Sequence, residues 1–217
     1  MKQGETFWVQ LSATERTVGV WDPYIARSFG SAKPKLRDHV TAYRPRREEA
    51  AKLYRFDPIE YRHVSQASHD VCSFVLASRE PHDQAWAAVG EATLLFGTMR
   101  AYLGNVIVTP EADWIGVMPD SHFAVKSEFL VVKPHDRLVY YWLHLLRSAE
   151  FRQSLPPGGG GTRPRLDCDT FLEIPVQIHS EGERRRIHDE TKEIARSEWA
   201  NRRRLALAWH GASHRGI

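Results

Sequence analysis

At 217 residues, 42% of them hydrophobic and 26% charged, the chain has material for one sizeable core with an appendage. No run approaches the roughly 18 apolar residues that a spanning helix needs, and Met1 to Glu5 lacks the apolar core of a signal peptide, so a cytoplasmic protein without a membrane partner is expected. Cys72 and Cys168 stand far apart with no second pair at metal-ligand spacing, which argues against a disulfide framework or structural zinc, and a formal charge of +3 is too small to name a polyanionic partner.

From Trp8 to about Leu76, short apolar runs (Phe7 to Val9, Val18 to Trp21, Val71 to Leu76) are broken by Pro23, Pro34, Pro45 and Pro58. This predicts short strands and loops, with one helix over Arg46 to Tyr54. A first basic cluster lies here: Lys33, Lys35, Arg37, Arg44, Arg46 and Arg47. Next come β-branched and aromatic runs at Thr93 to Met99, Asn105 to Thr109, His122 to Lys126 and Phe129 to Val132, bounded by Gly104, Pro110, Pro119-Asp120 and Pro134. They read as strands of a mostly antiparallel sheet.

After Pro134 the period changes. Leu138, Tyr141, Trp142, Leu145, Leu146 and Ala149 share one helical face, with Asp136 as the expected N-cap, and the helix should end before Pro156-Pro157. Gly158 to Gly161 then form a loop, followed by a second basic pair, Arg163 and Arg165, and a short ordered run from Phe171 to Ile178. Glu183 to Trp209 holds neither Pro nor Gly and predicts a helix of about 27 residues, ~40 Å long. It carries the third basic cluster, Arg184 to Arg186 and Arg202 to Arg204. On it Ile187, Ile194, Leu205 and Trp209 form a narrow stripe with Asn201 in line and Trp199 off it. Two accounts fit that stripe: a coiled-coil seam with Asn201 fixing register, or a helix packed on its own domain. Any one basic cluster can track phosphates or simply be a solvated face.

Catalytic constellations are missing. Asp22-Pro23-Tyr24 lacks the second Pro of an amino-methyltransferase tetrapeptide, and Pro119-Asp120 has no acidic-x-Lys pair on a following strand to complete a metal-dependent nuclease. The 11 His residues show no H-E-x-x-H spacing, and the four-Gly loop lacks the Gly-Lys-Ser/Thr ending of a phosphate-binding loop. The expectation is a protein with no catalytic residue, metal or cofactor of its own.

The run from Leu94 through Arg100-Ala101-Tyr102-Leu103-Gly104 to Val106 resembles the strand and Arg-Pro-Tyr-Leu signature of target-recognition domains in type I restriction-modification specificity subunits. Further blocks follow in that family's order: Ser127 to Pro134, Leu143 to Phe151, Gly161 to Leu166, Ile174-Pro175-Val176, and Glu181 to Ile187. They lie between about Glu60 and Trp209. Ala101 stands where the family usually has Pro and Glu183 where it usually has Gln, and the first sixty residues match no block.

The resemblance implies an α+β fold: a mostly antiparallel twisted sheet with packed helices over residues 1–178, a long C-terminal helix over 179–210 and a disordered tail over 211–217. It implies a non-catalytic, sequence-specific binder of double-stranded DNA that directs an adenine methyltransferase subunit, with or without a restriction or translocase subunit, in a defence system. Family members usually carry two recognition domains, so it further implies either a half-subunit that homodimerises through Glu183 to Trp209 or a recognition domain working alone. The expected DNA contacts are Arg100, Tyr102, Thr162, Arg163 and Arg165, with Lys35, Arg44, Arg46 and Arg47 on phosphates. Ile187, Ile194, Asn201, Leu205 and Trp209 are the expected partner-helix residues. Two rivals remain: a small metal-dependent nuclease with dispersed active-site residues, and an RNA or protein interaction module on the same fold.

Overall fold

A computed structural model describes residues 34–45, 58–59, 64, 86–115, 123–156 and 165–213. The expected helix over Arg46 to Tyr54 lies outside these residues. Seven strands are present among them: β1 (Val40–Tyr43), β2 (Pro58–Ile59), β3 (Trp86–Val89), β4 (Leu94–Gly97), β5 (Val106–Val108), β6 (Phe123–Lys126) and β7 (Phe129–Pro134). The helices are α1 (Ala112–Ile115), α2 (Val139–Arg147), α3 (Ala149–Ser154), α4 (Cys168–Leu172) and α5 (Glu181–Ser213).

The strands form two sheets. A four-stranded antiparallel sheet has the order β1-β7-β4-β5, and a three-stranded sheet has the order β2-β6-β3. In the smaller sheet β2 runs parallel to β6 and β3 antiparallel to it, so the α+β expectation is met with one parallel pair. The turn Ser127-Glu128 carries the chain from β6 into β7, and hence from one sheet to the other. Leu94, Leu95, Phe96 and Gly97 are all buried, as are Val106 to Val108 and Phe129 to Val132. Successive strand residues point to opposite faces, so the central strands are covered on both sides, which is why these runs are continuously apolar rather than alternating.

Helix α2 is buried almost all round: Tyr140, Tyr141, Trp142, Leu143 and Leu146 are all inside. The sequence periodicity named one face of it; the second is covered by α5. Asp136 is not the N-cap residue, a position that Leu138 occupies. It acts from two residues upstream, where Oδ1 accepts from the Leu138 amide and from Trp142 Nε1, both at 3.1 Å, and Oδ2 takes Arg184 at 2.8 Å. Ser148 ends α2 and caps α3 by accepting from Phe151 N, so the predicted single helix is two. Ala149, placed on the apolar face by periodicity, is exposed at that break.

Helix α4 lies just ahead of the ordered run expected at Phe171 to Ile178 and takes in its first two residues. Its cap is Asp167, whose side chain accepts from Thr170 N, and its Phe171 stacks at 4.5 Å between centroids on Phe96 of the central strand. Residues after it pair with the start of the described chain, through Leu36 N to Ile174 O and Val176 N to Pro34 O.

Helix α5 runs 33 residues, roughly 50 Å, past both Trp209 and Gly211. Its docked face is Ile187, Thr191, Ala195 and Trp199, all buried. Steps of four residues drift by about 40° per step, so this stripe spirals away from the seven-residue line that the sequence suggested. Trp199 is therefore inside, whereas Ile194 is 52% exposed. No helix among the described residues is long and apolar enough to cross a membrane.

Candidate nucleic-acid interface

The connection from β4 to β5 is tightly built. Thr98, fully buried, donates from both its amide (2.9 Å) and its hydroxyl (2.8 Å) to the carbonyl of Glu128. Arg100 follows in the left-handed region (φ 50°, ψ 50°), a short 3-10 turn spans Ala101–Leu103, and Gly104 closes it at φ 72°. The positive φ of Gly104 favours glycine, and a Cβ there would stand 2.9 Å from Cδ of Arg152, so that side chain would have to shift. A left-handed conformation costs an ordinary residue about 1–2 kcal/mol, and here it is imposed on an exposed arginine.

A second segment is bound to this turn. Met99 and Arg165 form an antiparallel bridge, and Leu166 N donates to Thr98 O at 2.9 Å. Arg165 Nη2 lies 3.9 Å from Glu128 Oε1, with the arginine side chain 51% and the glutamate 25% exposed. Tyr102, 49% exposed, stands out from the same turn. Three stretches distant in sequence therefore meet, and they present Arg100, Tyr102 and Arg165 outward.

Strand register places a further candidate. Gly97 pairs with Phe129 and Tyr43 with Val131, so the C-terminal ends of β1 and β4 lie at the Glu128 end of the four-stranded sheet. Exposed Arg44, next after β1, is thus at the same end as Arg100 and Arg165, two strand spacings (about 10 Å) across the sheet. The register could not be read from the sequence, and the grouping of these arginines depends on it. Lys133 on β7, with its ammonium 4.9 Å from the Tyr43 ring centroid, is an exposed cation that sequence reasoning passed over.

Lys35 sits elsewhere. It precedes the opposite end of β1, and its ammonium binds the carboxylate of Glu173 at 2.6 Å, which also pairs with Arg37. Glu173 is 2% exposed, so these two cations neutralise a buried charge and clasp the 34–38 and 173–176 segments together. The basic run at the start of α5 is likewise engaged: Arg184 with Asp136, Arg185 with Glu181, and Arg186 with Glu183 and Glu190. Thr162, Arg163, Arg46 and Arg47, together with the four-glycine loop, lie outside the described residues.

On α5, Ile187 is buried against the domain and Asn201 is exposed with Ile194. The side chains of Leu205 and Trp209 are outside the description. Polar contacts fix the docked half, where Tyr140 N donates to His188 Nδ1 (3.3 Å) and Lys192 pairs with Glu111 (2.7 Å), and the segment leading into it, where Tyr141 OH meets His179 Nδ1 (3.2 Å). Burial lowers the pKa of His188 and of His39, and raises that of the Tyr141 hydroxyl and of the Cys168 thiol. Among the described residues no three His, Cys, Asp or Glu side chains group as metal ligands.

No protein-family profile matches the chain, and no curated protein does. Solved structures do. The chain resembles the HsdS subunit from Thermoanaerobacter tengcongensis, with a TM-score of 0.52 and 17% identity over 82% of this chain. A second neighbour, from a study of complex assembly and conformational transition of the type I R-M system, aligns with TM-score 0.42 and 13% identity over 94% of this chain. The chain spans about half the length of each, 45% and 48% respectively. The first of these, an HsdS subunit, is the kind of protein that the sequence blocks resemble, and its likeness shows a shared fold.

Proposed function

We propose that this chain is a double-stranded DNA recognition module, acting as a non-catalytic specificity component of a restriction-modification or related defence system. The observation that carries the reading is the convergence of Arg100, Tyr102, Arg165 and Arg44 at one end of the four-stranded sheet. Rigid strands hold the turn, and the exposed side chains are of the types that position phosphates and reach base edges in a major groove. The HsdS-like fold supports the same role. Thr162, Arg163, Arg46 and Arg47 are proposed as further DNA contacts on their sequence alone. Lys35 has its ammonium on Glu173 and is proposed to hold the fold rather than phosphate.

In this role the chain selects the site and a partner does the chemistry, an adenine methyltransferase subunit with or without a translocating nuclease. Two copies joined through α5 would present two recognition surfaces to an interrupted palindrome. The exposed Ile194 and Asn201 support that arrangement.

A gel-shift titration of the purified chain with duplex DNA, competed by RNA of equal length at fixed salt, tests the reading. Duplex retained against RNA is the expected result. Preference for RNA, or cleavage of plasmid by the chain alone with Mg²⁺, would favour the rival readings.

A further inference from the structure

We infer that Glu128 is a specificity-determining residue of this surface, a fixed carboxylate that disfavours bare phosphate and accepts a hydrogen bond from a base amine. The inference rests on the DNA-binding reading and deepens it, by assigning a role to an acidic side chain that is paired with one of the arginines of that face.

Its position is the first support. Glu128 occupies the two-residue turn between β6 and β7, and its carbonyl oxygen receives both the amide (2.9 Å) and the hydroxyl (2.8 Å) of Thr98. Thr98 is 0% exposed, so the turn is nailed to a buried anchor beside the glycine-closed loop. Thr98 also fixes Arg165, because its own carbonyl accepts from Leu166 N at 2.9 Å. The backbones of Glu128 and of Leu166, next to Arg165, are thus hydrogen-bonded to the same residue.

Charge is the second. An anion that reaches Arg165 comes within a few ångströms of Glu128 Oε1, which is 3.9 Å from the guanidinium and well inside the Debye length of about 8–10 Å. Phosphates are the same in every sequence, so a fixed carboxylate here lowers affinity for all duplexes alike. What it gives back depends on sequence. A carboxylate is acceptor-only, and the base group that suits it in the major groove is the N4 amine of cytosine. Only a duplex offering that amine recovers the loss, and a loss recovered by one sequence alone is specificity.

The long, partly exposed contact allows the exchange. An ion pair at 3.9 Å between side chains 51% and 25% exposed is weak, so Arg165 can leave Glu128 for a phosphate and expose the carboxylate to the base edges beside it.

In vitro selection from a randomised duplex library, run in parallel on the full chain and its Glu128→Gln variant, tests this, with anisotropy titrations of both against the unselected pool. Glutamine keeps the shape and removes the charge. The variant is expected to bind the unselected pool roughly threefold to tenfold more tightly at low salt, with a salt slope steeper by up to about one unit. Its selected motif should lose one C·G position that the parent enriches. Equal pool affinity with identical motifs would overturn the inference while leaving DNA binding intact, whereas a parent chain that binds no duplex would overturn the underlying reading. Matching thermal melts for the two proteins guard against a folding defect, and Arg165→Gln, which should weaken pool binding, shows that the opposite change follows from removing the cation.

Discussion

Gly104 illustrates how one residue sets the candidate surface. It carries a positive φ and lets the Arg152 side chain pass where a Cβ would push it aside. Gly104→Ala should cost about 1–2 kcal/mol, mainly from the left-handed backbone, as measured by urea denaturation. An unchanged midpoint would mean that the turn can relax around the methyl. Arg100 bears the same backbone strain without glycine's freedom. Thr98 and Glu128 hold the loop from beneath, a role that nothing in their local sequence announces, because it consists of hydrogen bonds across thirty positions.

At the scale of elements, α5 is held to α2 and α1 by polar contacts as much as by its apolar stripe. Asp136 serves Leu138, Trp142 and Arg184 at once, so Asp136→Ala should destabilise by about 2 kcal/mol and speed amide exchange in the first half of α5. His188 accepts from Tyr140 N and must be neutral to do so. Its folded pKa is lowered from 6.5 by burial, so below about pH 6.5 the unfolded chain takes up the proton first. Stability should therefore fall as pH drops from 6.5 toward the folded value, with His39 adding in the same direction. Thermal melts between pH 7 and pH 5 would show the slope, and His188→Gln should flatten part of it. A pH-independent melting temperature would contradict this account of the docked helix.

Much of this level was legible in advance. The four strand runs from Thr93 to Val132 and the long C-terminal helix stand where composition and periodicity put them, and the helical stretch after Pro134 does too, though broken in two at Ser148. Helix α4 was missed because five residues give no period; its only signal was Asp167 placed three residues before Thr170, a cap without a visible helix. The second face of α2 was missed because Tyr140 and Leu143 lie off the apolar stripe, and the helix that covers them, α5, begins some forty residues later in the chain.

The whole molecule shows what sequence could not supply. Arg44, Arg100 and Arg165 are scattered along the chain and acquire a common end only through the pairing of β1 and β4 with β7. Lys35 and Arg184 to Arg186 lie in basic clusters that the sequence leaves open between phosphate contact and a solvated face, and each has a carboxylate partner, which for Lys35 lies 138 residues away and is invisible to a count of charges. The free edge of α5 has a consequence for assembly. Light scattering on the purified chain should give a dimer, and Ile194→Glu should give a monomer with unchanged helix content; a wild-type monomer would favour a recognition domain working alone.

The claim on which these consequences turn is that the arginines at the Glu128 end of the sheet face a duplex. Anisotropy titrations against random-sequence duplex across a series of salt concentrations measure it directly, comparing the parent chain with an Arg100→Ala, Arg165→Ala double variant. The account predicts log affinity falling linearly with log salt for the parent, and a slope shallower by roughly 0.9 per arginine removed for the variant. Superimposable lines for the two proteins would contradict it.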